Sequence, residues 1–159
     1  MGDAHQHGPL PDDRDGITHH FVIFAKEGEE TIEHNGYLTV DCHPDGCVGQ
    51  IFLKMNRIGS AENGLATQWA AAVSRMLEMG VPLEELVKEY RGQAFHPSGP
   101  TRTPSIRFAR SPVDYIARYL ERRFIKKLPL ELTDAEKGEP DDGSNSPPPF
   151  GDFGGEFGK

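Results

Sequence analysis

Along the chain, apolar residues first recur at every second position and then at every third or fourth, the change falling near Gly59. Residues 17–25, ITHHFVIFA, are β-branched and aromatic with turn residues on both sides, which predicts a strand. In 36–41, GYLTVD, Leu38 and Val40 share one face while Tyr37 and Thr39 take the other. In 49–55, GQIFLKM, Ile51, Leu53 and Met55 stand against Phe52 and Lys54. HPDG at 43–46 supplies the residues a tight turn needs. Three strands joined this way make an antiparallel meander.

Beyond Gly59-Ser60 the period is helical. Leu65, Trp69, Ala72, Val73, Met76 and Leu77 predict one buried stripe, and Gly80 stands where a left-handed cap ends a helix. Pro82 suits the first turn of a second helix, whose stripe is Leu83, Leu86, Val87 and Tyr90. A third helix starts at Ser111-Pro112-Val113-Asp114, with Ser111 as N-cap and Asp114 favouring the positive end of the dipole. Val113, Ile116, Leu120 and Phe124 are its inner face; Arg118, Arg122, Arg123, Lys126 and Lys127 are expected outside. The prediction is an α+β domain, a three-stranded antiparallel sheet packed by about three helices.

Composition confines that domain to the centre. Residues 1–16 and 129–159 are poor in apolar side chains and acidic, and the second segment holds six Gly and five Pro. Both are expected to be disordered tails around a domain at 17–128. No apolar run approaches the roughly 18 residues of a membrane span, and with so polar a start no secretory signal is expected. Met1-Gly2 opens like a myristoylation site, but Gln6 stands where Ser or Thr is needed. Two cysteines make no disulfide scaffold, so a reducing cytoplasmic setting is expected. The net charge of -8 conceals a basic segment, since residues 91–128 carry nine Lys and Arg against two acids. Such a segment suits phosphates or an acidic partner.

Candidate chemistry follows from that charge. The loop between the second and third helices contains His96, Ser98, Thr101 and Arg102, with Arg107 and Arg110 just before the Ser111 helix start. A helix N-terminus with hydroxyls and cations nearby suits a phosphate, so these six are the expected nucleotide- or phosphate-binding residues. Cys42, His43 and Cys47 form the densest group of metal-ligand types, but zinc takes about four ligands, and His34 or His96 would have to complete the set. No metal site is assigned on that spacing. His19 and His20 alternate across a strand, so at most one faces any site. No nucleophile elbow, phosphate loop or HExxH motif is present. In the tail, Phe150, Phe153 and Phe157 repeat among glycines and acids, the pattern of a short segment that docks on a partner.

The stretch from Ile17 to Phe124 resembles the TSCPD domain. The matching residues are GYLTV at 36–40, DG at 45–46, GQIFLKM at 49–55, Gly59-Ser60, GVPLEELV at 80–87, FHPSG at 95–99 and ARSPVDYIARYL at 109–120. That domain is found at the C-terminal end of adenosylcobalamin-dependent (class II) ribonucleotide reductases and as separate small proteins. The resemblance implies a link to deoxyribonucleotide synthesis, not the chemistry itself. A core of this size holds no reductase barrel, and Cys42 and Cys47 are given no radical or reducing role. The TSCPD pentapeptide and the CxxC-rich ribbon of longer relatives are missing from this sequence. The expected function is an accessory or regulatory module of a ribonucleotide reductase system, acting with a separate catalytic subunit. No cofactor is expected on this chain; adenosylcobalamin is implied for the partner. The alternative is a module that binds nucleic acid or nucleotide phosphate outside any reductase.

Overall fold

A computed structural model describes residues 7–132 and Lys137. The meander is β1 (Gly16–Glu27), β2 (Glu30–Cys42) and β3 (Val48–Met55), antiparallel throughout in the order β1-β2-β3. The β1–β2 turn is two residues long, and Gly28 takes φ +66 at its first position, where a non-glycine residue would be strained. The β2–β3 turn uses HPDG as expected: Gly46 adopts φ +88, and Asp45 Oδ1 accepts from the Cys47 N–H at 2.9 Å. The first two strands are longer than their hydrophobic patterns, because the hairpin ladder continues through polar pairs such as Lys26 with Thr31.

Three helices follow: α1 (Ala61–Glu78), α2 (Leu83–Tyr90) and α3 (Pro112–Leu120), the last running into a π-helical turn at Glu121–Ile125. Two short strands, β4 (Gly99–Pro100) and β5 (Phe108–Ala109), pair within the loop before α3. Ser60 caps α1 and Ser111 caps α3, each hydroxyl accepting from the N–H three residues on. At the end of α1 the Val81 N–H reaches the Met76 carbonyl and Gly80 takes φ +87, a left-handed termination. Pro82 sits at the cap before α2 rather than inside it.

The core lies on one face of the sheet. Phe21, Ile23, Leu38, Val40, Ile51 and Leu53 meet Tyr115, Ile116, Tyr119 and Leu120 of α3, with Leu86 and Val87 of α2 beside them. The predicted α1 stripe holds at Trp69, Val73, Met76 and Leu77, which pack on the core, and is corrected at its other two positions. Leu65 is 73% exposed and Ala72 is also exposed, whereas Ala70, Val73 and Ser74 are buried. The reason is the position of α1 along the free edge of β3, where it meets backbone as well as side chains. Ser74 Oγ both accepts from the Ile51 N–H and donates to the Ile51 carbonyl, each at 2.9 Å. Thr67 Oγ1 donates to the Leu53 carbonyl, and Asn63 Oδ1 accepts from the Met55 N–H. The helix thus satisfies groups that an edge strand would otherwise leave open.

A second correction concerns α3. Arg118 is not on an outer face; it is buried, and its Nε donates to Asp114 Oδ1 at 2.9 Å. Asp114 is fully buried and also accepts the N–H groups of Gly92 and Arg110. A buried guanidinium is tolerable there because its counter-charge is held in place by two backbone donors.

Of the N-terminal segment, residues 7–15 lie against the β2–β3 end of the sheet. Arg14 donates to Gln50 at 2.7 Å, and Asp15 accepts from the Cys42 N–H. The remainder of that segment, and Phe150, Phe153 and Phe157, fall outside the described residues. Among the described residues no helix is long and apolar enough to cross a membrane.

Candidate functional site

The loop from Gly92 to Arg110 crosses the outer edge of β1. The Arg102 N–H reaches the Val22 carbonyl, and Thr101 bridges to Ile23 as a one-residue extension of the sheet. Gly99 passes so close that a Cβ would lie 1.9 Å from the Phe24 carbonyl oxygen, so only glycine fits there. This crossing delivers the loop residues singled out by sequence to separate tasks. Ser98 donates to the Ala109 carbonyl, and Thr101 Oγ1 donates to the Ile106 carbonyl while accepting from the Thr103 N–H. These hydroxyls brace the loop. Arg102 and Arg107 are exposed, with no ion-pair partner among the described residues, and Arg110 is half-buried. The start of α3 already holds its own ligands: the Ser111 hydroxyl accepts from Asp114 N–H, and the Asp114 carboxylate sits behind it.

His96 turns the other way, towards the β1–β2 hairpin. Its Nε2 lies 3.2 Å from Glu27 Oε1, and the Nε2 of His34 lies 3.1 Å from the same oxygen. The two rings meet edge to face, 5.2 Å between centroids. Glu27 ends β1 and His34 belongs to β2, and both take the core-facing parity of the sheet. His34 is buried, and Asn56 and Glu62 back it. Asn56 Nδ2 is 3.0 Å and Glu62 Oε1 3.6 Å from His34 Nδ1. Two imidazoles and a carboxylate therefore converge, with a second carboxylate behind one of the rings. Reading the sequence missed Glu27, Asn56 and Glu62; the parity of a hairpin closed at Gly28 was the signal for Glu27.

A second group stands at the opposite end of the sheet. Cys47 comes together with His7 and Asp45, rather than with Cys42 and His43 as the spacing suggested. His43 instead stacks on His7, 4.4 Å between centroids. Both thiols are held protonated beyond their ordinary range: burial comes first for each, followed by the Asp41 charge for Cys42 and the Asp45 contact for Cys47. Neither is a ready nucleophile at neutral pH. Asp45 is pulled well below the usual carboxylate range, first by the Cys47 N–H and then by His7.

A third polar chain runs through the core. His19 Nε2 meets the Tyr115 hydroxyl at 2.8 Å, which meets Thr103 Oγ1 at 2.6 Å. Burial, then the charge of His20, lowers the His19 pKa to about 4. This chain ties the loop to β1 and α3, and has no open side among the clefts described below.

Among the open clefts are two of similar size. One, of about 390 Å³, follows β3 and α1 between Gln50, Lys54, Thr67 and Glu78. The other, of about 420 Å³, lies between His7, Arg14, His43 and Glu78. Both are of small-ligand size.

An α+β domain with a basic loop braced across its first strand is the class these features define. The chain belongs to the TSCPD domain family, whose model matches residues 11–124. It is 36% identical over 138 residues to a vitamin B12-dependent ribonucleotide reductase of Rhodopirellula baltica, covering 87% of this chain and 12% of the relative. It is 40% identical over 126 residues to the enzyme of the same name from Streptomyces avermitilis, covering 79% and 12%. The same identity holds for that of Streptantibioticus cattleyicolor, where the match covers 79% and 19%. The chain therefore spans only about an eighth to a fifth of these relatives. No solved structure matches significantly.

Proposed function

We propose that this domain is an accessory or regulatory module of a B12-dependent ribonucleotide reductase system, docking on a catalytic barrel carried by a separate polypeptide. The observation that carries this reading is the alignment: nearly all of the folded domain matches B12-dependent ribonucleotide reductase chains. In this reading adenosylcobalamin and the radical chemistry belong to the catalytic polypeptide. The docking surface is the braced loop, where Arg102 and Arg107 offer charge without a partner among the described residues. A loop held at both ends by backbone bonds presents those cations with little ordering cost on binding.

The test uses the purified chain and a B12-dependent reductase deprived of its own TSCPD segment. Calorimetry should show a one-to-one complex that weakens with salt, and Arg102→Glu with Arg107→Glu should weaken it at least tenfold. No complex at tens of micromolar, or ribonucleotide reduction by the chain alone, would overturn the reading. The exposed arginines also support the second reading, binding of nucleotide phosphate or nucleic acid. That reading requires direct affinity for a nucleotide or oligonucleotide that falls steeply with salt and is lost in the same double variant.

A further inference from the structure

We infer that Glu27, His34 and His96 form a binding site for a divalent transition-metal ion of the zinc type. The spacing fits. Zinc–nitrogen and zinc–oxygen bonds of about 2.0–2.1 Å place tetrahedral ligand atoms about 3.4 Å apart. Glu27 Oε1 is 3.1 Å from one imidazole nitrogen and 3.2 Å from the other, and all three donor atoms lie within 4.8 Å of one another. The set is two imidazoles and one carboxylate, contributed by two strands and the crossing loop. His96 is half-exposed, so the fourth position opens to water.

The residues behind His34 supply an independent observation. Glu62 Oε1 is buried and makes no hydrogen bond. It lies 3.6 Å from His34 Nδ1, the ring nitrogen that faces away from Glu27. Without metal, Asn56 occupies that nitrogen. Asn56 Oδ1 accepts from the Asn35 N–H at 2.9 Å, which fixes Nδ2 as the atom facing His34. Nδ2 can only donate, so Nδ1 accepts and the His34 proton sits on Nε2, pointing at Glu27. A metal on Nε2 displaces that proton, and Nδ1 takes one up in its place. The waiting acceptor is Glu62 Oε1, completing a carboxylate–histidine–metal arrangement. Asn56 Nδ2 then gives up its bond to Nδ1, moving off that nitrogen, and keeps the one to Glu62 Oε2, 2.5 Å away. Two carboxylates then balance the charge of a dication. In the His7–Asp45–Cys47 group, by contrast, Asp45 is half-exposed.

This site is independent of any reductase partner, and so is its test. The full chain, free of any histidine tag, is titrated with Zn²⁺ by calorimetry, and with Co²⁺ as a visible-absorption probe. One ion should bind per chain. His96→Ala and Glu27→Gln, both at exposed positions that leave the core intact, should each lower Zn²⁺ affinity at least tenfold. Cys47→Ser should leave it unchanged. Long-range proton–nitrogen NMR should show His34 change from the Nε2–H to the Nδ1–H tautomer as zinc is added. Absence of binding at micromolar zinc overturns the inference. So does binding insensitive to His96 and Glu27, binding abolished by Cys47→Ser, or a His34 tautomer that does not change.

Discussion

Replacing Asp114 with alanine should be among the most destabilising single changes in this domain. The carboxylate is fully buried and serves three donors: Arg118 Nε at 2.9 Å, the Gly92 N–H at 2.7 Å and the Arg110 N–H at 2.9 Å. Its removal leaves a buried guanidinium without this counter-charge and two backbone donors without these acceptors. Breaking a buried ion pair from one side costs about 3–5 kcal/mol. That is a large part of the roughly 5–15 kcal/mol that holds a domain folded. With a urea dependence of about 2 kcal/mol per molar, the unfolding midpoint followed by circular dichroism should fall by about 2 M. Arg118→Met should cost less, about 2 kcal/mol, because the carboxylate keeps its two backbone donors. The order of the two variants is the discriminating result. If Arg118→Met proves the more damaging, or Asp114→Ala moves the midpoint by less than about 0.5 M, the account of this network is wrong.

Other outcomes follow from the same geometry. Gly99→Ala forces a Cβ into the Phe24 carbonyl, and should cost about 1–3 kcal/mol, read as a drop of at least roughly 5 °C in Tm. Ser74→Ala removes both bonds to Ile51; a loss of about 1–3 kcal/mol and faster hydrogen exchange at the Ile51 amide are expected, and unchanged exchange refutes it. His19 has a folded pKa of about 4, below an unfolded value of about 6.5, so folding favours its neutral form. Its contribution is complete above pH 6.5 and is lost as pH falls from there to 4. The shift corresponds to at most about 3 kcal/mol, which partial exposure reduces to roughly 1.5 kcal/mol. His19→Gln should therefore flatten the stability profile over that interval, and an unaltered slope counts against the assignment.

The sheet and helices were legible because each buries a face whose period survives in the hydrophobic pattern. The α1 face was legible only in its apolar part, because Asn63, Thr67 and Ser74 meet strand backbone, and a count of apolar positions passes over polar contacts. Arg118 was placed outside for a similar reason: its partner Asp114 looked fully explained as a helix-dipole residue, and nothing local marks it as buried. His96 was legible as a loop histidine. His34 was legible only as a possible ligand for the Cys42–Cys47 turn, and Glu27 not at all, since the hydrophobic signal of β1 fades at Ala25 and that of β2 begins at Gly36. Glu27 and His34 lie in the polar extension between them, where ladder pairing continues without apolar side chains.

The contacts that close the two flanks of the meander come from residues later in the chain: α1 beside β3, and the segment around Thr101 beside β1. During synthesis the hairpins emerge first and wait for about fifty further residues before the second flank is closed. Fragments ending near Met55 should therefore self-associate through their bare strands, and a nascent chain stalled there would need a chaperone more than the finished domain does.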